Sequence, residues 1–95
     1  MQDKREAGEL IGFAGLSHLG IVSSLSVVEK GFSVLGYDPD AGLCAQLGNG
    51  EFPVFEPGLK ELSHNNRSSI SYTDEIAELG NCSLVYLSLD VPTDD

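Results

Sequence analysis

Residues 10–20 read LIGFAGLSHLG, and this stretch decides the fold expected for the 95-residue chain. The apolar run Leu10–Ala14 has the length of a buried strand and ends at Gly15. From residue 18 to residue 30 the apolar residues recur at helical spacing, and Lys30 with the glycine after it is typical of a helix C-terminus. A buried strand that passes through a glycine turn into an amphipathic helix is the opening unit of an α/β fold.

The rest of the chain continues this alternation. Three further strands are expected, at residues 32–37, 69–72 and 82–89. Three short helices are expected between them, one capped by Asp40, one over 59–65, and one capped by Thr73 and ending near Gly80. Strands that alternate with helices pair in parallel through right-handed crossovers, so the expected fold class is α/β.

Composition limits the classes of function. Fifteen acidic against five basic residues leave a net charge of −10, which argues against nucleic acid and anionic membranes as partners. No apolar run approaches the roughly 20 residues of a membrane span, and the first ten residues lack a signal peptide's apolar core. Cys44 and Cys82 lie 38 residues apart without a metal-ligand pattern, so no metal site is expected. We interpret them as free thiols in a reducing cytoplasm.

The glycine turn carries the first functional signal. Its residues Gly15, Leu16, Ser17, His18, Leu19 and Gly20 match the dinucleotide fingerprint GxGxxG at the first and third glycines, with Ser17 at the second. The helix N-terminus would hold the pyrophosphate with backbone N–H groups, because residues 10–28 carry no formal charge. Ser17 either intrudes on the pyrophosphate or donates a hydrogen bond to it, and His18 lies near the phosphates or is an exposed neutral side chain. The alternative for the whole motif is a tight turn without a ligand.

An acidic residue follows at the distance that such a site requires. Asp38 closes the second strand 18 residues after Gly20, near the spacing of the acid that accepts ribose hydroxyls. The alternative for Asp38 is a helix cap or a turn residue. Residues 31–59 contain no Lys or Arg, so a 2′-phosphate would meet Asp38 and Asp40 without a neutralising cation. If a dinucleotide binds, NAD is therefore preferred over NADP.

Residues 10–38, followed by FPVFEPGLKEL at 52–62, resemble the N-terminal domain of the UDP-glucose/GDP-mannose dehydrogenase family. The segment SLVYLSLDVPT at 83–93 resembles the family's fourth strand and the cofactor-contacting loop after it, although Val91 stands where the family usually has a threonine. The resemblance covers residues 10–95. It implies a Rossmann-like parallel sheet with helices on both faces and about four strands in order 3-2-1-4. It also implies NAD as the cofactor, with Val91 and Pro92 among the contacts.

Family members oxidise the C6 hydroxyl of a nucleotide-sugar to a carboxylate, with NAD as hydride acceptor. Their catalytic cysteine lies in later domains, and neither cysteine of this chain matches its motif. The resemblance therefore implies a partial Rossmann dinucleotide-binding domain at 10–95, after a disordered or expression-derived terminus at 1–9. Such a chain has no catalytic residues, is inactive alone, and meets a nucleotide-sugar only within a full-length parent.

Two alternatives stay open at this point. The first is a stand-alone nucleotide-binding or regulatory module, and the second is a structural remnant that binds nothing. As part of a truncated domain, the strand at 82–89 is expected at a sheet edge, where it favours self-association by antiparallel pairing.

Overall fold

The described sheet has four parallel strands in order β3-β2-β1-β4. The computed structural model describes residues 9–52 and 57–88. The strands are β1 Leu10–Ala14, β2 Ser33–Tyr37, β3 Ile70–Thr73 and β4 Leu84–Leu87. The helices are α1 His18–Glu29, α2 Ala41–Gly48, α3 Leu59–Asn65 and a 3-10 helix at Ile76–Asn81. The predicted α/β class and strand order are confirmed. The expectations for residues 1–8, for the motif residues 53–56, and for Val91 and Pro92 lie outside the described residues.

Helix α1 connects the two central strands and supplies three side chains of the buried core. Its stripe of Ile21, Leu25 and Val28 is buried against the sheet, as the helical spacing predicts. The helix ends at Lys30, and Gly31 follows with φ of +107°, a left-handed conformation that favours glycine. This end confirms the C-terminus expected from the sequence.

Helices lie on both faces of the sheet, and the kind of helix differs between the two faces. Phe13 of β1 packs into one core cluster with residues of all three α-helices. Side chains alternate along a strand, so Gly12 points to the opposite face. A Cβ on Gly12 would lie 3.0 Å from Leu79 Cδ2 and 2.7 Å from Cys82 Sγ, which places the 3-10 helix on that face. The α-helices therefore occupy one face and the 3-10 helix the other.

The helix expected after the third strand needs a correction. An α-helix capped by Thr73 is predicted there, but the structure has a 3-10 helix that begins at Ile76 with Glu75 as its N-cap residue. Thr73 belongs to β3, and its hydroxyl accepts the N–H of Glu75 at 3.0 Å. Thr73 therefore forms a local turn at the strand end and does not cap a helix.

Candidate functional site

The site is the glycine turn between β1 and α1, at the carboxyl ends of the two central strands. Gly15 has φ of +106°, which side-chain-bearing residues rarely adopt, and its N–H donates to the carbonyl of Tyr37 at 2.8 Å. This bond ties the start of the turn to the end of β2. The first glycine of the motif is thus required by the backbone conformation itself.

Gly20 is required because α1 approaches the turn closely. A Cβ at this position would collide with the carbonyl oxygen of Gly15 and lie 3.1 Å from the Cβ of Ser88. Backbone cannot move aside as the tip of a long side chain can, so only glycine fits here. The role that the fingerprint assigns to its third glycine, close helix packing, is therefore seen in the geometry.

Ser17 takes a role that the sequence reasoning missed. It is the N-cap of α1, where its hydroxyl oxygen accepts the N–H of Gly20 at 3.3 Å and its O–H donates to the carbonyl of Ser88 at 3.3 Å. A serine directly before an apolar helical stripe is the ordinary sequence signal for such a cap. The hydroxyl stabilises the first turn of α1 and links it to the end of β4.

Asp38 lies directly against the turn. Its Oδ2 accepts the N–H of Leu16 at 2.9 Å, and its Oδ1 accepts the N–H of Asp40 at 3.0 Å. The cap of α2 is Asp40, whose Oδ1 accepts the N–H of Leu43 at 3.1 Å, as predicted. Asp38 therefore forms an anchor between the end of β2 and the glycine turn, a contact that the alternatives of ribose acceptor, helix cap or turn residue did not include.

The other predicted site residues do not take part in these contacts within the turn. His18 and Leu19 are exposed in the first turn of α1, and Leu19 is 63% exposed. The expected contacts of Val91 and Pro92 lie outside the described residues. The structure thus brings together Gly15, Ser17, Gly20 and Asp38, with His18 and Leu19 on the outer side of the turn.

These residues fit a dinucleotide chemically. The N-terminus of α1 carries the partial positive charge of the helix dipole, and no formal charge within residues 10–28 opposes or assists it. A carboxylate has about four lone-pair sites, so the two bonds that Asp38 accepts leave capacity for hydroxyl donors. The positive end of the α1 dipole and a carboxylate with spare acceptor capacity therefore lie side by side.

The two cysteines are not placed for nucleophilic chemistry. Cys44 is buried, donates its S–H to the carbonyl of Thr73 at 3.3 Å, and has its pKa raised by burial. Cys82 is half-buried, and burial raises its pKa as well. Both are free thiols, as predicted, and a raised pKa keeps a thiol in its unreactive protonated form.

The described ranges 9–52 and 57–88 contain neither a candidate metal site nor a candidate membrane span. No group of three or more His, Cys, Asp or Glu side chains there could hold a metal ion. None of the helices in these ranges is long and apolar enough to cross a membrane.

Comparison with known proteins agrees with this geometry. Residues 9–95 match the sequence model of the UDP-glucose/GDP-mannose dehydrogenase family, NAD binding domain. The chain is 29% identical over 86 residues to a UDP-glucose 6-dehydrogenase of Rhizobium meliloti, a match that covers 87% of this chain and 20% of the relative.

Two solved structures share the fold. The GDP-mannose dehydrogenase of Pseudomonas aeruginosa, solved as a ternary complex, superposes with a TM-score of 0.82 at 23% identity, over 88% of this chain and 20% of that one. A UDP-D-ManNAc dehydrogenase of Pyrococcus horikoshii superposes with a TM-score of 0.83 at 20% identity, over 90% of this chain and 21% of that one. The chain spans about 20% of the length of the curated relative.

Proposed function

The chain belongs to the UDP-glucose/GDP-mannose dehydrogenase family, as its NAD binding domain, and we propose on this premise that it binds NAD at the glycine turn. The backbone N–H groups at the start of α1 hold the pyrophosphate, and Asp38 accepts the hydroxyls of the adenosine ribose. The bound cofactor would supply a hydride acceptor, and the chain would supply binding and orientation.

One observation carries this proposal, the contact between Asp38 and the turn. The carboxylate oxygen lies 2.9 Å from the Leu16 nitrogen, so the acidic group and the phosphate-binding backbone form one rigid unit. The other oxygen of Asp38 accepts the N–H of Asp40 at the start of α2, but the cap of that helix is Asp40 itself, so a capping role does not account for the contact with Leu16. The placement of Asp38 therefore supports a hydroxyl acceptor beside a phosphate site.

The same placement favours NAD over NADP. A 2′-phosphate on the ribose would stand against the Asp38 carboxylate, and like charges at close range repel strongly. Asp40 adds a second negative charge two residues away, and no Lys or Arg occurs within 31–59. The proposed preference thus follows from electrostatic repulsion of the extra phosphate.

The proposed reaction of a full-length parent is oxidation of a nucleotide-sugar C6 hydroxyl to the carboxylate. The chain alone is proposed to be inactive, because Cys44 is buried against the carbonyls of Asp38 and Thr73 and burial raises the pKa of both thiols. The proposed compartment is the reducing cytoplasm, where free thiols persist.

The test is calorimetric titration of NAD and of NADP into the full chain and two variants. Asp38→Asn keeps the shape of the side chain but loses its charge, and Asp40→Asn is the control because Asn also caps helices and the net charge changes equally. We expect Asp38→Asn to weaken NAD binding by about tenfold or more, the scale of a hydrogen bond to a charged group. Asp38→Asn should also reduce the preference for NAD over NADP. Asp40→Asn should leave the affinities for NAD and for NADP nearly unchanged.

The outcomes separate the alternatives. If the wild-type chain binds no NAD at millimolar concentration, the proposal is wrong, and the structural remnant that binds nothing is the interpretation that remains. Equal losses in the two variants would show that general negative charge, and not the position of Asp38, controls binding. Unfolding midpoints recorded for each variant show whether a lost affinity reflects a lost fold.

A further inference from the structure

One face of α3 gathers most of the basic side chains that the structure describes. Lys60, His64 and Arg67 follow one another at spacings of four and three residues, so they lie on the same side of the helix and of the turn after it. All three line a cavity of about 500 Å³ between α3 and the C-terminal end of α2. Within the described ranges the other Lys or Arg is Lys30. In a chain of net charge −10, this cavity is therefore a local concentration of positive charge.

A buried hydroxyl lies among these basic groups. Ser63 is on the same face of α3, is only 8% exposed, and lines both this cavity and an adjoining one of about 280 Å³. Its hydroxyl takes part in no hydrogen bond between residues that the structure describes. A hydroxyl that leaves water without gaining a partner costs free energy, which a ligand in the cavity would recover.

The basic wall keeps donors available for a ligand. Arg67 Nη1 donates to the carbonyl of His64 at 2.8 Å and lies 3.4 Å from Nε2 of the same residue, so the guanidinium is held beside the imidazole. A guanidinium has five N–H donors, so several remain after this bond. Lys60 adds an ammonium group with three donors and forms no ion pair within the described ranges.

The opposite wall offers open space and acceptors. Gly48 and Gly50 carry no side chains there, and a Cβ on either would meet no atom within 4 Å. Asn49 contributes an exposed amide and Glu51 an exposed carboxylate. Hydroxyl groups donate to such oxygens, whereas a phosphate close to Glu51 would be repelled. The cavity therefore combines donors for an anion on one wall with acceptors for hydroxyls on the other.

The cavity is separate from the glycine turn. The Asn66 amide donates to the Glu29 carboxylate near the end of α1 at 3.0 Å, and the N–H of Val34 in β2 donates to the carbonyl of Ser69 at 2.8 Å. These contacts place the segment that contains Arg67 at the amino ends of the strands. The glycine turn lies at their carboxyl ends, so the two sites are on opposite edges of the sheet.

We propose that this cavity binds the phosphate monoester of a small hydroxyl-bearing molecule. Lys60, Ser63 and Arg67 hold the phosphate, whose three terminal oxygens suit several donors on one wall better than the two oxygens of a carboxylate. Asn49 and Glu51 accept hydrogen bonds from the hydroxyls. A volume of about 500 Å³ exceeds the needs of a phosphate alone and lies within the range of small-molecule sites. Because both cations are exposed, the affinity is millimolar and falls as salt screens the charges.

The experiment is an NMR titration of the full chain without dinucleotide. The backbone amide signals of Gly48 and Gly50 report on the cavity, and those of Gly15 and Gly20 report on the glycine turn. The probes are glucose 6-phosphate, inorganic phosphate and glucose, which separate a phosphate ester from free phosphate and from the sugar alone.

Three variants identify the groups that bind. Ser63→Ala removes the hydroxyl without a partner, and Lys60→Gln removes one cation. Lys30→Gln is the matched control, because Lys30 is exposed at the end of α1, does not line the cavity, and its replacement changes the net charge equally. Unfolding midpoints should stay close to the wild-type value in all three, since these side chains make no hydrogen bond or ion pair with described residues.

We expect glucose 6-phosphate to shift the signals of Gly48 and Gly50 saturably at millimolar concentration, more tightly than inorganic phosphate, with no shift from glucose. Ser63→Ala and Lys60→Gln should each weaken the binding of the ester by about fivefold or more, the scale of one hydrogen bond. Lys30→Gln should leave the affinity nearly unchanged.

Four results would overturn the proposal. The first is an ester that shifts only the glycine turn, or nothing at tens of millimolar. The second is equal affinity for the ester and inorganic phosphate, which would leave a site for free phosphate. The third is an equal loss of affinity in Lys30→Gln, which would assign binding to net charge, and the fourth is unchanged affinity in Ser63→Ala. Because no dinucleotide is present, the result is independent of the proposed cofactor site.

Discussion

Replacement of Gly20 by alanine tests the close packing that builds the glycine turn. In an ordinary helix interior this change stabilises the helix by about 1 kcal/mol. Here the new Cβ would collide with the carbonyl oxygen of Gly15 and lie 3.1 Å from the Cβ of Ser88. The structure therefore predicts that the sign of the effect reverses.

The magnitude follows from these two opposing contributions. Overpacking against atoms that cannot easily move costs typically up to about 3 kcal/mol, so the net loss is about 2 kcal/mol after the helical gain. In a domain of this size, that loss lowers the melting temperature by roughly 10 °C. Gly48→Ala is the matched control, since it is also a helical glycine and a Cβ there would meet no atom within 4 Å. It should stabilise the chain by up to about 1 kcal/mol.

The assay is equilibrium unfolding in urea, followed by circular dichroism for the wild-type chain and both variants. Opposite shifts of the two midpoints, at similar slopes, are the expected result. If Gly20→Ala raised the midpoint as Gly48→Ala does, α1 would not lie against the turn, and the geometry assigned to the site would be wrong.

Two further predictions concern side-chain hydroxyls. Ser17→Ala should lower the free energy of unfolding by about 1 kcal/mol in the same urea assay. Ser17→Gly should lower it by only a few tenths of a kcal/mol, because glycine is a better N-cap than alanine. Equal losses in the two variants would contradict the capping role of Ser17. Burial raises the pKa of Tyr72 to about 12, so the folded chain keeps a proton that the unfolded chain releases near pH 10. The contribution of Tyr72 to the free energy of unfolding should therefore be fully present below about pH 10 and be lost toward pH 12. Tyr72→Phe should remove this contribution to the alkaline fall in a pH series of unfolding midpoints. Its hydroxyl has no hydrogen-bond partner among the described residues, so the variant should lose little stability at neutral pH.

Much of the fold could be predicted because its signals are local. The apolar run of β1, the helical stripe of α1 and the Asp40 cap each follow from a few neighbouring residues. The 3-10 helix at Ile76–Asn81 could not be predicted in this way. The chain must cross there from β3 to β4, about 14 Å away across three strand spacings. A 3-10 helix rises about 2.0 Å per residue against about 1.5 Å in an α-helix, so the same residues reach further.

The candidate site also combines features that the sequence predicts with features that only the tertiary structure decides. The sequence alone determined which residues form the turn and that an acid follows the second strand. The tertiary structure decided what Ser17 and Asp38 contact, since their partners Ser88 and Leu16 lie 71 and 22 residues away along the chain. Those contacts exist because parallel pairing brings the ends of β2 and β4 beside the end of β1. Strand order, which long-range packing selects, therefore sets the hydrogen bonds of the site.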